Sequence, residues 1–181
     1  LQRGDRVAIQ TLNRPEVVEV ESALYKAGLV KVPVNARLSA REVELLIDDA
    51  GARAFIASQA HVGLLTDARA ALDKVQHFIC LDGAVGPWRD YETLLQTGAD
   101  RLPRVVKTDA DIAVLHYTSG STGRLKAAMQ TYGNRHASLR NLLIGRGSGA
   151  PGPGDRMAML GPKTHATGML IQPILSRGVS L

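Results

Sequence analysis

The sequence predicts an α/β fold, a largely parallel sheet with flanking helices, on three observations. Short apolar runs rich in β-branched residues alternate with segments of helical spacing from Val7 onward. Helix signals punctuate that alternation: a Ser39-Ala40-Arg41-Glu42 capping box, and glycines at 28 and 51 where helices should stop. The composition is globular, with 45% hydrophobic and 22% charged residues. The length of 181 residues is enough to support a core of its own.

The elements follow in order. Val7 to Thr11 reads as a strand. Asn13 can then cap a helix, with Pro15 in a first turn that needs no N–H from it. Val17, Val20, Ala23, Leu24 and Ala27 share one helical face, and Gly28 ends the helix. Val30 to Val34 is a second strand, and Ser39 to Asp49 a second helix closed by Gly51. Ala54 to Ala57 and His77 to Leu81 are strands around a helix of about residues 60–72. Gly83 to Pro87 is a turn, Trp88 to Gln96 a short helix, and Gly98 to Thr108 a polar surface crossing. Asp111 to His116 and Leu125 to Gln130 are strands, and Thr131 caps a helix running to about Ile144. Gly145 to Gly154 is glycine- and proline-rich and reads as a flexible loop. Arg156 to Leu160 reads as a strand, Thr167 to Leu175 as a helix, and Val179 to Leu181 as the start of another strand.

Several function classes fall away. Aromatics are 4% of the chain, too few for a single-strand nucleic-acid stacking platform, and no run of like charge makes a nucleic-acid arm. Cys80 is the single cysteine, so no internal disulfide forms, and no Cys/His spacing suggests zinc. Its setting in Phe78-Ile79-Cys80-Leu81 reads as core, and the chain fits a reducing, cytoplasmic compartment. No apolar stretch approaches the ~18 residues of a membrane span. The formal charge of +5 suits anionic ligands such as nucleotides, and equally suits a solvated surface with spare arginines.

The chemistry lies in Tyr117-Thr118-Ser119-Gly120-Ser121-Thr122-Gly123-Arg124-Leu125-Lys126. Glycines let successive backbone N–H groups converge on an anion. The hydroxyls of Thr118, Ser119, Ser121 and Thr122 add short-reach donors, and Lys126 adds a mobile charge. The string is not the P-loop of nucleotide hydrolases, because Gly120 and Gly123 are too close and Ala127 follows the lysine. A bland alternative is a Ser/Gly-rich turn joining two strands.

This string resembles the signature loop of the adenylate-forming (AMP-binding) superfamily: acyl-CoA synthetases, luciferases and the adenylation domains of peptide synthetases. Gly4-Asp5-Arg6-Val7-Ala8-Ile9, the stretch from Ala27-Gly28 through Val32-Pro33-Val34-Asn35, and Arg37-Leu38 with Glu42 resemble its fatty-acyl and aryl-CoA ligases. Pro162-Lys163-Thr164-His165-Ala166-Thr167-Gly168 resembles the family's next motif. The resemblance implies the large N-terminal domain of such an enzyme. It divides the chain into a βα-repeat part, 1–108, and a phosphate-loop part, 109–181. The family's C-terminal lid domain lies outside this sequence.

The resemblance also implies a reaction. ATP with Mg2+ and a fatty or related carboxylic acid give an acyl adenylate, and coenzyme A then takes the acyl group as a thioester. Thr118, Ser119, Gly120, Ser121, Thr122, Gly123 and Lys126 would hold the β- and γ-phosphates. Thr118 would also touch magnesium, and His165 would be the catalytic residue beside the carboxylate. His165 could instead be a helix cap or a satisfied buried ring, and His61, His77 and His136 show no constellation. Leu125 stands where proline is usual in the family and Ala127 where a glycine often follows. The expected chain is an N-terminal fragment, inactive by itself. The alternatives are a non-catalytic nucleotide- or partner-binding module derived from such an enzyme, and an unrelated phosphate-binding domain.

Overall fold

Alternating side chains along Val7-Ala8-Ile9 send Ala8 to one face of a sheet and Val7 and Ile9 to the other. That strand, β1 (Arg6–Gln10), sits near the centre of a seven-stranded sheet. The computed structural model describes residues 1–63, 72–119, 125–145, 151–163 and 166–181. The other strands are β2 (Val30–Val34), β3 (Ala54–Ala57), β4 (His77–Cys80), β5 (Arg89–Asp90), β6 (Ile112–Ser119) and β7 (Leu125–Thr131). Their order is β5-β4-β3-β1-β2-β6-β7, and every neighbouring pair is parallel except β6–β7. The helices are α1 (Glu16–Ala27), α2 (Ala40–Ala50), α3 (Gln59–Val62), α4 (Tyr91–Thr97), α5 (Tyr132–Gly145) and α6 (Ala166–Leu175). None of the described helices is long and apolar enough to cross a membrane.

Two layers of side chains sandwich the sheet. On one face Val43, Leu46 and Ile47 of α2 pack on Ala8, Val32, Val34 and Phe55. Trp88 joins them, with ring centroids 5.4 Å from Phe55 and 5.1 Å from Phe78, and Cys80 is fully buried there. On the other face Val20 and Leu24 of α1 cover Val7, Ile9, Ala54 and Ile56. The α2 capping box forms as read: Ser39 Oγ accepts from the Glu42 amide, and the Ser39 amide donates to Glu42 Oε2 at 2.8 Å. Gly28 is left-handed at φ 67°, and a Cβ there would sit 2.8 Å from Val105 Cγ1, so conformation and space both require glycine.

The structure changes some of the expected elements. Asn13 does not cap α1. Pro15 already has helical angles (φ −57°, ψ −39°), so the first turn opens there without a side-chain cap, and Asn13 is left free for a distant partner. Trp88 lies outside α4 and is 4% exposed, while Asp90 caps that helix by accepting from the Thr93 amide. Arg156 to Leu160 makes one parallel bridge, Arg156 to Ser180, rather than a strand: the pairing is limited to the Met157 amide on the Ser180 carbonyl and the Ser180 amide on the Asp155 carbonyl, with no longer ladder among the described residues. Of the helix expected over 60–72, α3 describes Gln59–Val62, and residues 64–71 lie outside the described residues. Thr131 does cap α5: its amide donates to Asn134 Oδ1 at 3.0 Å, and its hydroxyl accepts from the Asn134 amide at 3.2 Å.

Candidate functional site

β6 and β7 form an antiparallel hairpin with Thr118 opposite Lys126 and Ser119 opposite Leu125. Side chains directly opposite on such a pair share a face, with Cβ atoms about 4.5–5.5 Å apart. Thr118 and Lys126 are both exposed on that face. Two of the expected phosphate ligands are thus neighbours at the base of the connection that carries the rest. Gly120, Ser121, Thr122 and Gly123 lie outside the described residues, as does His165.

The opposite face of the hairpin is a packing face. Tyr117, Leu125 and Ala127 pack against the core under α2. The two residues that depart from the usual family form therefore meet the core and not the exposed face. Tyr117 donates its hydroxyl to Asp49 Oδ2 of α2 at 2.5 Å. Burial, and then this bond, push the phenol above its ordinary range. The bond ties the outgoing strand to α2 one residue before Thr118. Tyr117→Phe should lower stability by about 1 kcal/mol in urea unfolding, a charge-assisted bond discounted for exposure. Asp49→Asn, which keeps an acceptor, should lose less than Tyr117→Phe, and no loss in Tyr117→Phe would mean that the bond contributes nothing.

A cleft of about 540 Å³ opens at the carboxyl ends of β1 and β2, on the α1 side of the sheet. That is where ligands of open α/β sheets sit. Ile9, Val17 and Pro33 give it an apolar floor, and the exposed Leu12 and Leu160 give it an apolar rim. Its outer wall is the strap 160–163. Asn13, freed from capping, binds that strap with both ends of its amide. Nδ2 donates to the Gly161 carbonyl at 2.8 Å, and Oδ1 accepts from the Lys163 amide at 2.9 Å. Past the strap, Gly168 of α6 comes so close that a Cβ would lie 2.1 Å from the Lys163 carbonyl oxygen.

Charges around the cleft are arranged in two groups. Arg14 Nε and Nη2 hold both oxygens of Glu16, at 2.8 and 2.7 Å, and Nη1 reaches Asp82 at 2.6 Å. The Arg14 hydrogen bond pulls the Glu16 carboxyl down to about 2. Deeper, Glu21 of α1 is 4% exposed and takes Lys31 of β2 on one oxygen and Arg135 of α5 on the other, each at 2.9 Å. His136, which showed no constellation in the sequence, bridges Tyr25 and Asp109 at 2.5 and 3.0 Å. The triad partners and the His136 bridge come from segments far apart in the chain. No local spacing signals them.

The fold and loop can be set beside known proteins. Feruloyl-CoA synthase from Amycolatopsis is 33% identical over 177 residues, which are 97% of this chain and 33% of that protein. Long-chain-fatty-acid–CoA ligase FadD13 from Mycobacterium tuberculosis is 30% identical over 141 residues, 76% of this chain and 27% of that protein. The chain thus spans about a third of the length of these relatives. The inhibitor-bound N-terminal domain of FACL13 from Mycobacterium tuberculosis superposes with a TM-score of 0.83 at 26% identity, over 100% of this chain and 44% of that one. The anthranilate CoA ligase AuaEII, in complex with anthranoyl-AMP, shares the fold with a TM-score of 0.85, at 24% identity over 99% of this chain and 35% of that one. The AMP-binding enzyme family matches residues 1–181, and the chain belongs to that family.

Proposed function

We propose that this chain supplies the triphosphate-gripping part of an AMP-forming acid–thiol ligase acting on a fatty or related carboxylic acid. The observation that carries the reading is the β6–β7 hairpin, which sets Thr118 beside Lys126 on an exposed face. In the first step a carboxylate oxygen attacks the α-phosphorus of ATP and pyrophosphate leaves. In the second, the sulfur of coenzyme A attacks the acyl carbon and AMP leaves. Lys126 and the hydroxyls from Thr118 onward hold the β- and γ-phosphates as charge moves onto the departing pyrophosphate. By the family resemblance, His165 would act beside the carboxylate.

The residues fit a nucleotide that brings its own metal. Among the described residues no three His, Cys, Asp or Glu gather as a metal cage. A magnesium ion carried on a triphosphate keeps several waters and asks little of the protein, and the Thr118 hydroxyl suits that share. Bound there, magnesium would neutralise phosphate charge. The apolar floor of the cleft supports an acid with a sizeable apolar body.

ATP–pyrophosphate exchange tests the reading. A longer polypeptide carrying this chain should exchange label when given its acid, across a panel of fatty and aryl acids. The isolated 181 residues should bind ATP without exchange. Exchange by the isolated chain would overturn that division of labour, and no exchange by the longer polypeptide with any acid would favour a non-catalytic binding module.

A further inference from the structure

A second cavity, of about 80 Å³, lies between α1, β7, α5 and α6. Leu139, Met169 and Pro173 give it an apolar side. Arg135 and Gln130 give it a polar side, and no carboxylate lines it among the described residues. Arg135 has five N–H groups, and among the described residues only Glu21 takes a hydrogen bond from it, at 2.9 Å. Its side chain is 12% exposed, so the spare donors meet little bulk water. The Glu21 group sets two cations, Lys31 and Arg135, against one carboxylate, and keeps a surplus positive charge in a poorly solvated place. The Tyr25 hydroxyl and His136 beside it are already bonded to each other, and His136 to Asp109. Gln130 is the opposite case. Its Oε1 is buried and has no hydrogen-bond partner among the described residues, which is costly for an acceptor. Strand alternation puts it there: Leu125 and Ala127 pack under α2, so Gln130 takes the other face of β7 with Lys126.

We propose that this cavity is a binding site for a small planar oxyanion that keeps an O–H, hydrogencarbonate being the common one near neutral pH. Its charged oxygens accept from the spare N–H groups of Arg135 and offset the surplus charge. Its O–H donates to Gln130 Oε1. A cation fails the first demand, and an anion without a proton fails the second. A water takes up about 30 Å³ in the liquid, so the cavity has room for about two or three waters or one molecule of about four heavy atoms. Water alone would bond to Gln130 but leave the charge unmatched. The site is distinct from the cleft at the carboxyl ends of β1 and β2, with which it shares no lining residue.

The test titrates the 181-residue chain with sodium hydrogencarbonate at mildly alkaline pH and fixed ionic strength, following the methyl NMR signals of Leu139 and Met169. Sodium nitrate is the control, a planar monoanion without an O–H. Hydrogencarbonate should shift both methyls saturably, and nitrate should bind at least about fivefold more weakly because it leaves Gln130 Oε1 unmet. Gln130→Met should erase that preference, bringing the two anions within about twofold. Arg135→Met leaves Glu21 and Lys31 as a neutral pair, so the protein should still fold, and it should weaken hydrogencarbonate by about tenfold or more. Hydrogencarbonate should also raise the urea midpoint of the wild type and not that of Arg135→Met. No saturable methyl shift, equal affinity for the two anions in the wild type, or unchanged affinity in Arg135→Met would overturn the proposal. Hydrogen phosphate keeps an O–H but is tetrahedral, and tighter binding of it at these methyls would overturn the choice of a planar ligand.

Discussion

Glu21→Ala should destabilise the protein by about 3–5 kcal/mol, the cost of breaking a buried pair and stranding its partner charge. Glu21 is 4% exposed, and its carboxylate separates two cations, Lys31 and Arg135, whose side chains are 8% and 12% exposed. Removing it leaves two like charges facing each other in a poorly solvated interior, with no carboxylate between them. The bonds join β2, α1 and α5, so the loss should loosen the packing of α5 behind the hairpin. Lys31→Met should cost far less. It leaves Glu21 with Arg135 as a neutral pair and adds apolar volume beside Val17 and Pro33, which line the same cleft. Urea unfolding of the three proteins reads both effects. A loss under about 1 kcal/mol in Glu21→Ala would show that the triad behaves as an exposed pair.

Lys126→Ala should weaken magnesium-ATP binding by about 10- to 100-fold, since a hydrogen bond to a charged group contributes about 1.5–3 kcal/mol. The side chain is exposed and opposite Thr118, so it is free to turn toward a phosphate without breaking a packing contact. Its exposure also makes the effect depend on ionic strength, and the gap between wild type and mutant should narrow in salt. Lys126→Arg keeps the charge but presents a planar fork where a compact ammonium is wanted, and should recover only part of the affinity.

The parallel part of the sheet was readable because each element carried its own local signal. The strands of β1 to β4 were apolar runs, α1 ended at a glycine and α2 began in a capping box. The two strands of the hairpin were readable for the same reason, as runs flanking an ordered string of hydroxyls and glycines, but their antiparallel pairing was not. What could not be read was every role assigned by a distant partner. Asn13, a short polar residue between a strand and a proline, looks like a helix cap. It is claimed instead by a strap 148 to 150 positions away. Pro15 itself was the one local hint, since a proline favours the opening turn of a helix, and its helical angles put that turn past Asn13. Glu21, Lys31 and Arg135 looked like ordinary charged positions, and only packing α1 and α5 on the same side of β2 makes them a buried triad. Leu125 and Ala127 looked like departures from a phosphate loop. Their side chains belong to the core under α2, so they bear on packing more than on phosphate contact.

Isothermal titration of magnesium-ATP into the 181-residue chain and its Lys126→Ala variant is the most direct test of the phosphate role given to the β6–β7 hairpin. The expected result is saturable binding by the wild type and a drop of at least tenfold in the variant, with both proteins unfolding at the same urea concentration. Equal affinity in the two proteins, or no binding by the folded wild type, would contradict it.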